Sequence, residues 1–317
     1  MARALKIAAG VVAVLAAAIW WLLLDGSAPS KVSGEFNLPE YRALVDDGVG
    51  AQPSAFHIEI VGTDIAPGIA AQVGDFSRKY HTAFTALQLV WPDKTVVIGG
   101  AFDAESAKEL AQSKDAATYD HAAYDRLTTA MTQAEQVWIT HEHPDHVMAV
   151  ARHPAPELLA PRLNVTGVQL SALPQFAKDG VLAPEIAGVT PRTIDAPTLI
   201  APGVVAIPVP GHSEGSLCFY VRLETGAEYL LIGDIVWSMR NIEMLKTRPR
   251  LLQFMFFDPP EDRKAVLRQV RALHDMAAVA PDLIMLPSHD APYLKALIAN
   301  GQLLQGFDIQ ETLPSSD

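Results

Sequence analysis

The feature that most constrains this chain is a cluster of metal-ligand residue types directly after an apolar run. Thr140–His146 reads Thr-His-Glu-His-Pro-Asp-His and follows Val137–Ile139, which is typical of a buried strand. Imidazole nitrogens and carboxylate oxygens are ligands that zinc accepts in proteins. A strand end with three histidines and one aspartate within His141–His146 therefore predicts a metal site.

The same arrangement, an apolar run followed by a ligand residue type, recurs further along the chain. His212 follows Val204–Val209, Asp234 follows Tyr229–Ile232 and His289 follows Asp282–Leu286. Loops at one edge of a sheet commonly carry metal and catalytic groups. Together with His141, His143, Asp145 and His146 these residues exceed the four ligands of one tetrahedral zinc, and they suit two metal ions about 3.5–4 Å apart. The other histidines are interpreted as ordinary surface or hydrogen-bonded residues: His57, His81, His121, His153 and His274.

Composition and charge argue against nucleic-acid binding and limit the type of metal site. The chain has 36 acidic and 24 basic residues and a formal net charge of -12, which disfavours nucleic-acid binding because a basic face is needed to meet phosphates. The chain has one cysteine, Cys218, so it can form no intrachain disulfide and its metal site is not a thiolate cluster. Cys218 is interpreted as a core residue.

The N-terminal segment is predicted to be separate from the rest of the chain. Arg3 and Lys6 precede an uncharged run, Ile7–Leu24, which ends at Asp25. At ~1.5 Å per residue this run measures about 27 Å, close to the ~30 Å hydrocarbon core of a bilayer. We therefore predict a membrane anchor over residues 1–24, with the rest of the chain outside the cytoplasm, in the periplasm. The alternative is a cleaved signal peptide and a secreted protein.

Residues 25–50 are predicted to be a tether and entry loop, and residues 51–317 a single catalytic domain. Within that domain, 86–91 and 95–98 are two apolar runs around a Pro-Asp turn, which predicts a hairpin. Residues 122–136 and 260–278 have helical periodicity. The proline-rich segment 152–202 is predicted to form loops, short strands and one helix, and to overhang the site as a lid.

In order and spacing, these motifs resemble those of the metallo-β-lactamase-fold hydrolase superfamily. The matching motifs are Thr140–His146, Gly211–Gly215, Gly233-Asp234 and Ser288–Asp290. The resemblance implies an α/β fold with a four-layer αβ/βα sandwich. It also implies that His141, His143 and His212 bind one metal ion, that Asp145, His146 and His289 bind a second, and that Asp234 bridges them. The implied metals are two zinc ions, with other divalent ions as alternatives.

Individual positions refine this resemblance. His143 stands where the diiron flavoprotein branch has glutamate, and the bridging position is Asp234 rather than a cysteine. The usual Asp-Thr-Gly-like turn is absent from 98–103, where Asp103 is a candidate substitute. The motifs of the C-terminal half, including Phe257–Pro259, are similar to the N-acyl-homoserine lactonase branch. Trp237 replaces the substrate-contacting tyrosine of that branch, and we interpret it as a substrate-binding residue.

The predicted function is hydrolysis of a small-molecule ester or lactone, with an N-acyl-homoserine lactone as one candidate. A hydroxide between two zinc ions would attack the acyl carbon, and Asp145 would orient it and carry a proton to the leaving group. Glu142 and Pro144 are interpreted as spacers. The alternatives are a β-lactamase-like amidase, a thioesterase or a phosphodiesterase, and, from a different class, a non-catalytic binding protein on the same fold.

Overall fold

The computed structural model describes residues 2–256 and 259–309 of the chain. The predicted lactonase-like motif at Phe257 and Asp258 lies outside these residues. The α-helices of the described part are α1 (Ala2–Ile19), α2 (Leu38–Asp46), α3 (Gly68–Ala71), α4 (Ala104–Leu110), α5 (His121–Gln133), α6 (Pro144–Ala151), α7 (Pro156–Leu159), α8 (Gly167–Ala172), α9 (Pro184–Ala187), α10 (Met239–Glu243), α11 (Arg250–Phe256), α12 (Arg263–Val279) and α13 (Ala291–Ala299).

The strands form two sheets. In chain order they are β1 (Ala55–Pro67), β2 (Lys79–Val90), β3 (Thr95–Ile98), β4 (Thr118–Tyr119), β5 (Gln136–Trp138), β6 (Leu163–Asn164), β7 (Thr198–Ala201), β8 (Val204–Pro208), β9 (Leu217–Arg222), β10 (Glu228–Gly233), β11 (Ile284–Pro287) and β12 (Leu304–Gln305). The first sheet has the order β12-β1-β2-β3-β5-β6, with β4 also paired to β1, and the second has the order β11-β10-β9-β8-β7. The predicted hairpin is confirmed, because β2 and β3 pair antiparallel with Leu87 opposite Ile98.

The apolar core is divided into layers by these sheets. Side chains such as Phe56 and Phe219 pack between the two sheets. Leu127 of α5 and Val147 of α6 pack on the outer face of the first sheet. Tyr41 and α12 residues cover the outer face of the second sheet. The order helix, sheet, sheet, helix is the predicted αβ/βα sandwich.

The strand directions bring the predicted ligand loops to one edge. β8 and β10 are both antiparallel to β9, and β11 is parallel to β10, so these three strands run in the same direction. Their carboxyl ends are followed by His212, Asp234 and His289. The first sheet adds the loop after β5, whose residue Thr140 accepts a hydrogen bond at its carbonyl from Leu217 N (2.7 Å).

The N-terminal helix projects from the sandwich. α1 continues into a π-helical turn, Trp20–Leu24, and no residue of α1 or this turn is buried. In the described part of the chain, Ala2–Leu24 is the one helix long and apolar enough to cross a membrane, and a signal sequence has the same properties. The predicted tether, residues 25–50, contains α2, whose Leu38, Tyr41 and Val45 are buried.

The segment 152–202 does not form a lid. Its short helices pack against the first sheet, where Leu159, Leu173 and Ile186 are fully buried. None of its residues lines the cavity beside the predicted ligands, which is bordered by α11 and the end of the N-terminal helix. The lid prediction was wrong because proline and short apolar runs do not indicate which face a segment covers.

Candidate metal centre

The cluster after β5 owes its shape to the start of α6. His143 is the N-cap residue of that helix and Pro144 occupies its first turn, where a missing N–H costs no helical hydrogen bond. His143 has an extended backbone, whereas Asp145 and His146 lie in the first helical turn. The side chain of His143 therefore leaves the backbone in a different local geometry from theirs. The N–H of His146 donates to the His143 carbonyl (3.0 Å). Pro144, interpreted as a spacer, therefore helps to begin the helix that presents two of the predicted ligands.

The structure brings all seven predicted ligands together. They form three overlapping groups of three residues, and in each group one ligand atom per residue lies within 4.8 Å of the other two. The groups are His141 with His143 and His212, His141 with His146 and Asp234, and Asp145 with His146 and His289. The first and third groups contain the same residues as the two histidine-containing sets implied by the resemblance. Their assignment as metal ligands stays a prediction.

Oxygen atoms hold four of these imidazoles in place. The Thr140 hydroxyl lies 3.1 Å from Nδ1 of both His141 and His146. His212 Nδ1 lies 2.7 Å from Glu261 Oε1, and His289 Nδ1 lies 2.7 Å from the Ala83 carbonyl oxygen. A proton on each Nδ1 satisfies these contacts and directs Nε2 to the centre of the cluster, as is typical of metal-binding histidines.

Asp234 lies between the two groups of histidines. Its Oδ2 is 3.0 Å from His289 Nε2 and 3.7 Å from His212 Nε2, and its Oδ1 is 3.5 Å from His146 Nε2. Burial by itself would raise the pKa of Asp234, but His289 and His146 outweigh it and hold this pKa well below its usual range. An ionised carboxylate among imidazoles is the arrangement that a bridging ligand requires.

The donor set fits a divalent metal ion. His141 Nε2 and Asp234 Oδ1 are buried and make no hydrogen bond within the described residues. Such buried polar atoms are costly unless another group satisfies them. Burial lowers the pKa of His141, His143 and His146, so that each is neutral near pH 7 and has a lone pair for metal.

A buried ion pair that sequence reasoning missed supports His212. Glu261 and Arg248 pair with side chains at most 1% exposed, and Arg248 also donates to the Asp234 carbonyl oxygen (2.8 Å). Burial opposes ionisation of Glu261, but Arg248 and His212 outweigh it and lower its pKa to about 2. Glu261 is separated by 49 positions from His212, and its local sequence, Pro-Pro-Glu-Asp, indicates only the start of a helix.

Two further interpretations of single residues need correction. Glu142 is not a spacer, because its carboxylate accepts hydrogen bonds from Ser213 Oγ (2.8 Å) and Gly215 N (3.1 Å) and so ties the first ligand loop to the second. Asp103 does not support a ligand histidine; it caps α4 and pairs with Arg152 (3.0 Å). The ligand-supporting oxygens come instead from the partners named above.

The glycine turn at 99–100 has a packing role. A Cβ on Gly100 would lie 2.6 Å from the carbonyl oxygen of His146, so only glycine fits where this turn meets α6. The Gly99 N–H donates to the Trp138 carbonyl (2.7 Å), which joins the turn to β5. Close backbone approach therefore takes the place of the aspartate contact that the family pattern suggested.

A cavity of about 420 Å³ opens beside the cluster. Its polar end is formed by four cluster residues, His143, Asp145, Asp234 and His289, and most of the remaining wall is apolar. Trp237 lines it as well, and its indole N–H donates to Asp234 Oδ2 (2.8 Å). Trp237 therefore supports the central carboxylate, which the sequence did not indicate; its contact with substrate stays a prediction.

Tyr80 lies under Trp237 in the same cavity wall. The two rings are nearly parallel, with centroids 6.3 Å apart. The Tyr80 hydroxyl lies 2.6 Å from the Trp237 carbonyl oxygen and 2.9 Å from that of His289. Burial raises the pKa of Tyr80 well above its usual value, so this phenol stays protonated and fixes the two loops.

Metal binding is expected to release a proton from His289. Burial alone would lower the pKa of His289, but Asp234 and Asp145 outweigh it and raise this pKa to about 9. A metal ion at Nε2 must displace that proton, so affinity should rise with pH until about pH 9. Calorimetric titration of metal-free protein at pH 7.5, in buffers of different ionisation enthalpy, should give about one proton released per His289 site. Release that does not decline above pH 9 would contradict this assignment.

The same shift predicts the stability of the metal-free protein. Because the folded pKa of His289 exceeds the unfolded value of about 6.5, its contribution is complete below pH 6.5 and is lost as pH rises through about 9. The lowered pKa values of His141 and His146 act in the opposite direction, so their contribution rises with pH up to 6.5. Stability of the metal-free protein should therefore be greatest near pH 6.5, as urea unfolding at several pH values would measure.

Comparison with known proteins gives matches at the level of structure. No family model matches the sequence, and no curated protein matches it. A quorum-quenching N-acyl homoserine lactone lactonase aligns with a TM-score of 0.57 and 12% identity over 78% of this chain and 97% of its own. An N-acyl homoserine lactone hydrolase with the product N-hexanoyl-L-homoserine bound at its catalytic metal centre aligns with a TM-score of 0.56 and 12% identity. This alignment covers 77% of this chain and 96% of that one.

A third solved structure has a less specific description. A probable metal-dependent hydrolase from Staphylococcus aureus aligns with a TM-score of 0.56 and 12% identity, over 76% of this chain and 91% of its own. Each of the three alignments covers 91% or more of the solved structure. The chain therefore shares the fold of these three solved structures.

Proposed function

We propose that this protein is a metal-dependent hydrolase that cleaves an ester or a lactone. The observation that carries the proposal is the position of the histidine and aspartate cluster at one end of a cavity whose remaining wall is mostly apolar. A substrate with an apolar chain would place its polar head against the cluster. Two of the aligned structures are described as hydrolases of N-acyl homoserine lactones, which have such a chain and a lactone head.

The cluster would hold two divalent metal ions, for which zinc is the best candidate. His141, His143 and His212 would hold one, Asp145, His146 and His289 the other, and Asp234 would contact both. Bound there, the metal pair would supply a nucleophilic water near neutral pH and would polarise the acyl oxygen. Thr140, Glu261 and the Ala83 carbonyl orient the imidazoles, so the protein is organised for metal before it binds.

Asp145 is the proposed proton carrier. Its side chain is 20% exposed, lines the cavity, and lies 3.3 Å from His289 Nε2. From this position the carboxylate can orient an attacking water, accept its proton and deliver it to the leaving oxygen. Trp237 cannot take that role, because an indole has no acceptor and its N–H is donated to Asp234.

The cavity wall favours acyl substrates over phosphodiesters. No lysine or arginine is found among the described residues that line it. Lysine and arginine side chains commonly help to stabilise the charge of a transferring phosphoryl group. The apolar wall, which includes Phe84, Phe102, Leu251 and Leu252, instead suits a hydrocarbon chain.

We also propose that the helix over Ala2–Leu24 anchors the enzyme in a membrane, with the catalytic domain in the periplasm. Support comes from its length, from its apolar composition and from the absence of buried residues in it. Arg3 and Lys6, on the other side of the apolar run from the sandwich, favour a cytoplasmic N-terminus. Mass determination of the protein from a membrane fraction would find the full chain, whereas loss of the first 24 or more residues would identify a signal peptide.

The hydrolase proposal is tested with the full chain purified in detergent and loaded with zinc. Lactones, aryl esters, β-lactams and bis-nitrophenyl phosphate should be assayed side by side, and turnover is expected with lactones or esters. His141→Ala should lose bound metal and most of this activity, whereas His121→Ala, at the exposed start of α5, should keep both. Turnover of phosphodiesters alone would rule out an acyl hydrolase, and equal activity in the two variants would rule out the proposed site.

A further inference from the structure

The N-terminal helix is fixed to the catalytic domain at the point where it ends. Arg250 Nη2 pairs with Asp25 (2.7 Å), and the carbonyl of Gly26 accepts from the Thr247 N–H (3.0 Å). The Ala28 N–H donates to the Leu245 carbonyl (2.8 Å). Since these contacts follow Leu24 without an intervening linker, the position of the helix fixes the position of the domain.

The last turn of the helix contributes directly to the cavity. Leu23 lines it together with Leu251, Leu252 and Met255 of α11. One residue pair stabilises this junction from outside, because the ring centroids of Trp21 and Phe254 are 6.0 Å apart. The end of the predicted membrane segment is therefore also part of the cavity wall.

Several large apolar side chains around this junction are exposed. Phe254 is 57% exposed, Met255 62%, Trp21 43% and Leu110 43%. We call these residues, with Leu23, the apolar rim; Met255, Leu110 and Leu23 line the cavity and the other two lie beside it. Exposed apolar side chains grouped at a cavity mouth are typical of an interaction site.

We propose that the apolar rim docks on the bilayer that receives the N-terminal helix, so that the cavity takes the acyl chain of its substrate directly from the membrane. This inference rests on the proposed function for the substrate's chemistry and on the proposed anchor for its location. The partner is a lipid surface, and the substrate class is a membrane-dissolved ester or lactone with a hydrocarbon chain.

A bilayer is the occupant that the geometry favours. The rim is continuous with a helix long enough to span the hydrocarbon core, and Trp20 and Trp21 stand at the end of that helix where aromatic residues meet the headgroups. The Arg250 guanidinium lies 4.7 Å from the Trp21 ring centre, at a depth where a cation can meet lipid phosphate. A chain that leaves the bilayer beside Leu23 would enter the cavity without crossing water.

Docking can be measured without catalysis by fluorescence quenching. The full chain is reconstituted in phosphatidylcholine–phosphatidylglycerol vesicles with a fluorophore on Phe254→Cys or on Val279→Cys. Native Cys218 is fully buried, and burial raises the pKa of its thiol, so labelling is confined to the new cysteine. Val279 is the control position, and it is 83% exposed. It lies at the end of α12, about 24 Å along the helix from Arg263. Arg263, at the start of α12, donates a hydrogen bond to the Asp25 carbonyl, next to the end of the N-terminal helix.

Lipid carrying a nitroxide near its headgroup should remove most of the fluorescence at position 254 and leave position 279 unquenched. Equal quenching at the two positions would overturn the proposal, as would a mature protein without residues 1–24. The proposed hydrolase could still be correct in either case. Conversely, strong quenching at position 254 in a protein that hydrolyses no ester or lactone would support docking and refute the hydrolase.

A kinetic comparison tests delivery of the chain from the bilayer. The ratio of the rate on a vesicle-embedded long-chain lactone to the rate on a short water-soluble lactone should fall about tenfold in Phe254→Ser, which removes a phenyl ring from the rim. Val279→Ser is the matched control and should leave the ratio unchanged. An unchanged ratio in Phe254→Ser would show that substrate reaches the cavity from solution.

Discussion

Replacing Asp234 by alanine is expected to lower kcat/KM by a factor on the order of 10³ or more, equivalent to about 4 kcal/mol of transition-state stabilisation. Asp234 lies close to both histidine groups, since its Oδ2 is 3.0 Å from His289 Nε2 and 3.7 Å from His212 Nε2. Loss of this carboxylate removes the proposed ligand that joins the two metal positions. It also removes one of the negative charges that would balance the charge of bound metal ions.

The measurement combines kinetics with metal analysis of the purified variants. Asp234→Ala should bind fewer metal equivalents than the wild type, and Asp234→Asn, which keeps the shape without the charge, should be intermediate in metal content. Asp93→Ala is the control, because Asp93 is exposed in the turn between β2 and β3. If Asp234→Ala retained the full metal content and the wild-type rate, the proposed bridging role would be wrong.

Local sequence patterns were sufficient for several individual elements and for the set of candidate ligands, whereas the sandwich was predicted from the family resemblance of the ligand motifs. The β2–β3 hairpin and α12 follow from short-range periodicity and turn residues, which report burial directly. The seven ligand residue types could be recognised because each stands at the end of an apolar run. A strand end restricts where such a residue lies, so a motif such as Thr140–His146 gives location as well as chemistry.

The groups that orient the ligands could not be predicted in the same way. Glu261 and Ala83 act through contacts with residues 49 and 206 positions away, and a carbonyl oxygen has no signature in the sequence. Glu142 was misinterpreted because its partners, Ser213 and Gly215, belong to a loop of the other sheet. Side chains that join the two sheets depend on how the sheets pack, which periodicity within one element does not describe.

The end of the N-terminal helix is a second feature that required the structure. A run of apolar residues predicts a membrane segment or a signal peptide, and each reading treats it as independent of the catalytic domain. The placement of Leu23 in the cavity wall and the Asp25–Arg250 pair connect that segment to the site. The last turn of this helix therefore forms part of the cavity wall, which its apolar composition alone does not indicate.

Glu261→Gln is expected to destabilise the protein by about 3 kcal/mol at pH 7, because it leaves the buried Arg248 charge without a carboxylate partner. The pKa of Glu261, lowered to about 2, gives a similar magnitude, since the difference from the usual value of about 4.5 corresponds to roughly 3 kcal/mol. The folded pKa is depressed, so this contribution is present above pH 4.5 and is lost as pH falls through about 2. The difference in unfolding free energy between wild type and variant should be constant from pH 6 to 8 and should shrink below pH 4.5.

Urea unfolding of metal-free protein measures the stability, and Glu224→Gln, at an exposed site, is the matched control with no expected change. A second readout separates support of His212 from a purely structural role. Glu261 accepts the Nδ1 proton of His212, so its loss should also weaken metal binding by about 10–100-fold at a pH where the variant is folded. Unchanged metal affinity in a destabilised variant would show that Glu261 acts only through its ion pair with Arg248. Loss of both stability and metal affinity would show that this one buried carboxylate stabilises the fold and positions the ligand His212.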